Sequence, residues 1–114
     1  MTFGGVCITT DDAPRLVEFY KIVLLEEPIV EGSHYGFGKI AVYNPGGVTV
    51  AKDKSIWLQF FDVDIDGLYE RLLREIPGIE IISQPERRPW GAYSFWFIDP
   101  DGNKIAVAQE GEER

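Results

Sequence analysis

The stretch Tyr93-Ser94-Phe95-Trp96-Phe97-Ile98-Asp99-Pro100-Asp101-Gly102-Asn103-Lys104-Ile105-Ala106-Val107-Ala108 decides how this chain folds. Two runs rich in aromatic and aliphatic residues flank a Pro-containing string that ends in Gly-Asn, the pattern of a β-hairpin. Half a chain earlier, Tyr43-Asn44-Pro45-Gly46-Gly47 stands between the apolar runs Lys39 to Tyr43 and Val48 to Ala51, which predicts a matching hairpin. Upstream of each turn lies a short β-rich run followed by a helical pattern: Val6-Cys7-Ile8-Thr9 before Asp12 to Leu25, and Ile56 to Phe61 before Asp64 to Ile76. Asp12 and Asp64 are both placed to cap those helices by accepting from unpaired backbone N–H groups. The chain therefore reads as two copies of one strand, helix, strand, hairpin unit, an inference that rests on element order and the paired turns.

Leu16, Phe19, Tyr20, Val23 and Leu24 recur at the spacing of one helix face, as do Leu68, Leu72 and Ile76 in the second copy. Pro77-Gly78 stops the second helix. Two amphipathic helices of this length cannot bury each other's faces, so they are expected to cover one side of a mixed sheet of about eight strands. The predicted class is α+β: two tandem βαβββ modules, residues 1 to about 54 and about 55 to 110 of a single 1–114 domain. They form a curved mixed sheet, a cup, with the helices on its outer face.

Pro89-Trp90-Gly91, the alternating strand into Phe97-Ile98-Asp99-Pro100-Asp101-Gly102-Asn103, and Ile105-Ala106-Val107 resemble the C-terminal signature of the vicinal oxygen chelate superfamily. That superfamily contains glyoxalase I, extradiol dioxygenases, fosfomycin resistance proteins and bleomycin resistance proteins. The stretch from Val6 through Asp12 to Phe19-Tyr20 and Leu24 resembles the family's opening strand and helix, so the likeness spans nearly the whole chain. In metal-dependent members the resemblance implies a His on the first strand, a His or similar ligand on the corresponding strand of the second module, and a Glu on the last strand. Alignment on Asp12, Asp64 and the Asp99 to Asn103 turn puts those positions at Gly5, Trp57 and Ala106. None has a side-chain lone pair for a divalent metal. No metal and no cofactor is expected, and the resemblance is to a metal-less, bleomycin-resistance-like member.

Without ligands, the concave face is expected to be a small-molecule site. Pairing that keeps Phe97 and Val107 on the helix side puts Trp96 beside Ala106 on the other, with Ser94 beyond it. Cys7, Thr9, Trp57, Gln59, Ser94 and Trp96 then line the cup, and Trp90 is a candidate lid. Apolar walls with a few polar groups are the usual anatomy of such pockets. Each residue has a plainer explanation too: Trp57 as core filler, Cys7 as a small buried hydrophobe, and His34 as a solvent-facing residue in the loop before the third strand. Arg87 and Arg88 read either as an anion clamp or as exposed, solvated loop arginines. Asp62, Asp64 and Asp66 resemble an acidic metal cluster, but strand-end and helix-start placement explains them as cap and dipole partners.

Composition narrows the partners. The 114 residues carry one Cys and a net charge of −8. One Cys excludes a disulfide framework and suits a reducing compartment. Five basic and seven acidic residues in 1–54 give −2, while six and twelve in 55–114 give −6, a balance unsuited to nucleic acid. That charge is compatible with a cationic ligand. Met1-Thr2-Phe3-Gly4 is not a basic, apolar leader, and no apolar run spans a bilayer, so a cytoplasmic protein is expected. Exposed sheet edges and the resemblance to short superfamily members imply a homodimer. The leading functional expectation is a metal-independent binding protein for an aromatic or cationic small molecule, acting by sequestration. The alternative is a glyoxalase- or dioxygenase-like metalloenzyme with displaced ligands, built on Cys7, Gln59 or Lys104. A third is a module whose cup is filled by its own tryptophans.

Overall fold

In the computed structural model, which describes residues 1–109, the elements run β1 (Val6–Thr9), α1 (Ala13–Leu24), β2 (Ile29–Glu31), β3 (His34–Phe37), β4 (Ile40–Tyr43), β5 (Trp57–Phe60), α2 (Ile65–Glu75), β6 (Glu80–Arg87), β7 (Tyr93–Ile98) and β8 (Lys104–Gln109). This is βαβββ twice. Hydrogen bonding divides the eight strands into two four-stranded sheets, ordered β1-β4-β3-β2 and β5-β8-β7-β6. In each, the first strand pairs parallel to the last, and the remaining pairs are antiparallel. The chain divides into two compact units, Met1–Lys52 and a second beginning at Asp53.

Both helices start where the aspartates dictate. The Asp12 carboxylate accepts from the Arg15 N–H at 3.2 Å, and that of Asp64 from the Gly67 N–H at 3.3 Å. Each satisfies a donor that the first turn leaves without an intrahelical partner. In the first unit Leu16, Val17, Phe19, Tyr20 and Val23 are buried, and the Tyr20 ring lies 6.4 Å from that of Phe37 on β3. In the second, Ile65, Leu68 and Leu72 are buried, and Tyr69 meets Phe95 of β7 edge-on at 5.1 Å. Phe95, Phe97, Ile105 and Val107 beneath α2 are almost wholly removed from solvent. Each such side chain contributes about 1.5 to 3 kcal/mol by burial.

The turn over Asp99 to Asn103 forms as expected. Asp99 Oδ1 accepts from the Asp101 and Asn103 N–H groups at 2.9 Å each, and Asp99 Oδ2 from Asn103 Nδ2 at 2.8 Å. The matching hairpin over Asn44 to Gly47 does not form, because Val48 to Ala51 is not a strand. Here β4 already has β1 on one side and β3 on the other, so no edge remains for a further strand. Asn44 Oδ1 instead accepts from the Gly46 N–H at 2.9 Å, and Gly46 and Gly47, with φ of 92° and 69°, carry the chain out of the sheet. The true counterpart of the β7–β8 turn is Gly38-Lys39, between β3 and β4.

His34 opens β3 rather than lying in a loop, and its ring stacks on Tyr43 at 4.0 Å and 8°. Asp64 and Asp66 take the structural roles: cap, and acceptor from the Tyr93 hydroxyl at 2.7 Å. That hydrogen bond to a carboxylate raises the Tyr93 phenol pKa. Among the described residues, no helix is long and apolar enough to cross a membrane.

Candidate functional site

Strand alternation sorts the second sheet into two faces. Leu58, Ile105, Phe97 and Ile81 form one cross-strand row, on the side of α2. The neighbouring residues point the other way: Gln59, Ala106, Trp96 and Ser83 in one row, and Trp57, Lys104, Ile98 and Glu80 in the next. Trp96 stands opposite Ala106, as the alternation of the β7 sequence predicts. The small Ala106 side chain leaves room between Gln59 and Trp96.

Two indoles meet on this face. Trp57 and Trp96 are in edge-to-face contact, with centroids 5.5 Å apart and planes at 75°. Such pairs add about 0.5 to 1.5 kcal/mol beyond area burial. Trp57 is 38% exposed, so it is not core filler. The Lys104 ammonium lies 5.7 Å from the Trp57 centroid. Gln59, one row along, is exposed.

Trp96 is held from the other side by Arg88, which the expectation of a solvated loop arginine misjudged. Arg88 is only 7% exposed, and its guanidinium carbon lies 4.2 Å from the Trp96 centroid. Its Nε donates to Ser94 Oγ at 2.7 Å, and its Nη2 to Ser83 Oγ at 3.0 Å and to the Ser94 carbonyl at 3.2 Å. Nη1 pairs with Glu86 at 3.1 Å. A buried cation needs this degree of satisfaction. Ser94, itself buried, therefore anchors Arg88.

Two backbone features deliver Arg88 to this position. Register shifts between Ile81 and Ser83, and again between Ser83 and Glu86, bend the edge strand β6 and set Ser83 opposite Trp96. A tight turn then brings the chain back: the Gly91 N–H donates to the Arg88 carbonyl at 2.9 Å, and the Arg88 N–H to Ala92 at 2.7 Å. Gly91 has φ of 100°, which a Cβ would disfavour. Trp90 sits at the tip of this turn and is 64% exposed. Arg87 braces the turn, donating to the Gly91 carbonyl at 2.7 Å.

The remaining two expected site residues belong to the first unit. Cys7 and Thr9 lie opposite Ala41 and Tyr43 on the face turned away from Ile8 and Val42. Cys7 is exposed and free, not a buried hydrophobe. A shallow cleft of about 300 Å³ runs beside it, lined by Gly4, Gly5, Val6, Cys7, Gly38, Lys39 and Ala41. Gly5 has φ of 136°, and a Cβ built there would collide with the Lys39 carbonyl. The adjacent Val6 N–H donates to that same oxygen at 2.8 Å.

Arg88 and Lys104 are the residues that sequence reasoning passed over or underused. A usable signal existed for Arg88: it precedes Pro89-Trp90-Gly91, so a tight turn folds its side chain back toward Ser94.

The glyoxalase-like domain model matches residues 33–112. Among solved structures, a protein of unknown function from Agrobacterium tumefaciens str. C58 is 24% identical with a TM-score of 0.80, over 96% of this chain and 94% of that one. A protein from the mobile metagenome of V. pseudocholerae is 28% identical with a TM-score of 0.69, over 96% and 94%. A glyoxalase/bleomycin resistance protein/dioxygenase from Nocardioides is 25% identical with a TM-score of 0.69, over 100% and 86%.

Proposed function

Because the chain belongs to the glyoxalase-like domain family, within the vicinal oxygen chelate superfamily, we propose that it is a metal-independent small-molecule-binding protein. It holds an aromatic ligand against Trp57. The observation that carries this reading is the braced indole pair: a half-exposed Trp57 against Trp96, itself fixed by the buried, fully engaged Arg88. Arg88 and its serines remove the freedom that a lone surface tryptophan would lose on binding. Stacking on a platform ordered in advance gives micromolar affinity with two or three contacts, and Gln59 is available to orient a polar group.

The metal that this superfamily often uses does not fit these residues. At the first ligand position, Gly5 has no room for a side chain without moving the Lys39 backbone. Trp57 and Ala106 hold the other two. The polar groups sharing their face are the Gln59 amide, the Lys104 ammonium, two serines already bound to Arg88, and the Glu80 carboxylate, which stands two strands from Lys104. Among the described residues, no three of His, Cys, Asp or Glu are grouped to hold an ion. A displaced-ligand metalloenzyme lacks the donors that such a centre requires. The reading extends to a cytoplasmic homodimer whose action is sequestration, without nucleic acid or membrane partners.

The test is an NMR titration with 2-naphthylmethanol in the presence of EDTA, following the indole N–H signals. The signals of Trp57 and Trp96 should shift, and Trp57→Ala should weaken binding about tenfold. Unchanged affinity in Trp57→Ala, or binding only after metal is restored, would refute the proposal.

A further inference from the structure

We infer that the ligand taken by the Trp57 face is an aromatic anion: an arene carrying a carboxylate or similarly acidic group on a short arm. This rests on the reading of Trp57 as a binding platform, and it runs against the cationic ligand that the net charge of −8 suggests.

Local charge decides the matter, because fields are screened over about 8 Å at physiological salt. The cation over the Trp57 ring is the Lys104 ammonium, 5.7 Å from its centroid. Lys104 is half-buried, and no carboxylate among the described residues lies within ion-pair distance of it. Asp101, in the turn before β8, is buried. Glu86 is tied to Arg88 at 3.1 Å. The Asp99 carboxylate is taken up by two backbone N–H groups and the Asn103 amide. Glu80 shares the row of Lys104 but stands two strands away, about 10 Å at normal strand spacing.

A second cation lies at the same end. The Lys54 ammonium is fixed by the Asp101 carbonyl and Asn103 Oδ1, both at 3.0 Å, next to the start of β8. A cationic arene on Trp57 would therefore meet the like charge of Lys104, which no carboxylate among the described residues pairs. An anionic one would meet Lys104, whose flexible stem lets the ammonium follow a pendant carboxylate. Arg88 adds no competing site, since its donors are already committed to Ser94, Ser83 and Glu86.

The experiment uses three probes of one shape: 2-naphthoate, 2-naphthylmethanol and 2-naphthylmethylammonium. Each is titrated into the full chain at low ionic strength, with affinities read from the indole N–H signals. 2-Naphthoate should bind about fivefold or more tightly than the ammonium, with the alcohol between, as a half-exposed ion pair implies. Lys104→Gln should shrink that gap to within about twofold while still binding the alcohol, which shows the platform intact. Lys52→Gln, the same change in net charge on an exposed lysine of the first unit, should leave the gap in place. An ammonium probe that binds as tightly as the carboxylate overturns the inference but leaves the arene platform standing. A gap that survives Lys104→Gln also overturns it. Failure of all three probes to bind overturns both the inference and the reading beneath it.

Discussion

Replacing Arg88 by Met is the perturbation most informative about how the indole pair is held. Methionine keeps much of the stem's volume and removes the guanidinium. The loss can be worked from the contacts. Three hydrogen bonds to Ser94 Oγ, Ser83 Oγ and the Ser94 carbonyl disappear, at about 1 kcal/mol net each. The cation–π contact with Trp96 at 4.2 Å adds about 1 to 2 kcal/mol in so buried a place. The Glu86 pair adds little, because that carboxylate is 61% exposed. Relief of the guanidinium's desolvation offsets part of the total, leaving a net destabilisation of about 2 to 4 kcal/mol. Against a typical domain stability of about 5 to 15 kcal/mol the variant still folds.

Urea denaturation, followed by far-UV circular dichroism, gives the difference directly from the midpoint at unchanged slope. Arg88→Lys should fall between wild type and Arg88→Met, since lysine retains the charge but not the planar fork. A double-mutant cycle of Arg88→Met with Ser94→Ala should show coupling of about 1 kcal/mol or more. A loss below about 1 kcal/mol, or no coupling, would refute the view of Arg88 as the brace of Trp96.

Three further outcomes follow from separate parts of the structure. Gly5→Ala, at φ of 136° and against the Lys39 carbonyl, should cost about 2 kcal/mol or more, while Gly4→Ala, with nothing within 4 Å, should stay within about 0.5 kcal/mol; equal midpoints in urea would contradict this. The Tyr93 phenol should titrate above an ordinary tyrosine in ultraviolet absorbance, and Asp66→Asn should bring it down. Because the folded pKa is the raised one, the stability from this contact is fully present at neutral pH. It is lost as pH rises through the folded value, so a Tyr93 that titrates normally would refute the contact. The edge strand β2 leaves Ile29 and Val30 largely exposed, so sedimentation at micromolar concentration should give the mass of two chains; a monomer would end the homodimer proposal.

What was legible in the sequence was what short-range physics encodes. Asp12 and Asp64 announced the helix starts, because a cap depends on residues within one turn of it. The alternation of Phe95, Trp96 and Phe97 put Trp96 on the face opposite its two neighbours, but a slip of one residue would exchange the faces, and the register that settles it comes from the pairing with β8. The hairpin at Asp99 to Asn103 was readable for the same reason: the aspartate ties the turn to its own backbone.

The errors came where the deciding fact was long-range. Asn44 to Gly47 has good turn chemistry, but whether a turn leads into a strand depends on a free edge, and β1 and β3 had filled both sides of β4. Hydrogen bonding also splits the strands four and four, which periodicity does not reveal. Arg88 is the clearest case at the candidate site. An arginine beside Pro89 and Trp90 reads as solvated, and only the bulged course of β6 brings Ser83 to meet it opposite Trp96. Charge is local in the same way: the net charge of −8 does not reveal that Lys104 lies 5.7 Å from the Trp57 centroid.

In the function proposed above, this member of the family binds its ligand without a metal. Native mass spectrometry of the protein, purified without chelator and without metal-affinity resin, tests it most directly. The expected spectrum shows chains free of transition metal, either alone or carrying a small aromatic mass whose occupancy falls in Trp57→Ala. One transition metal per chain, retained through buffer exchange, would contradict it.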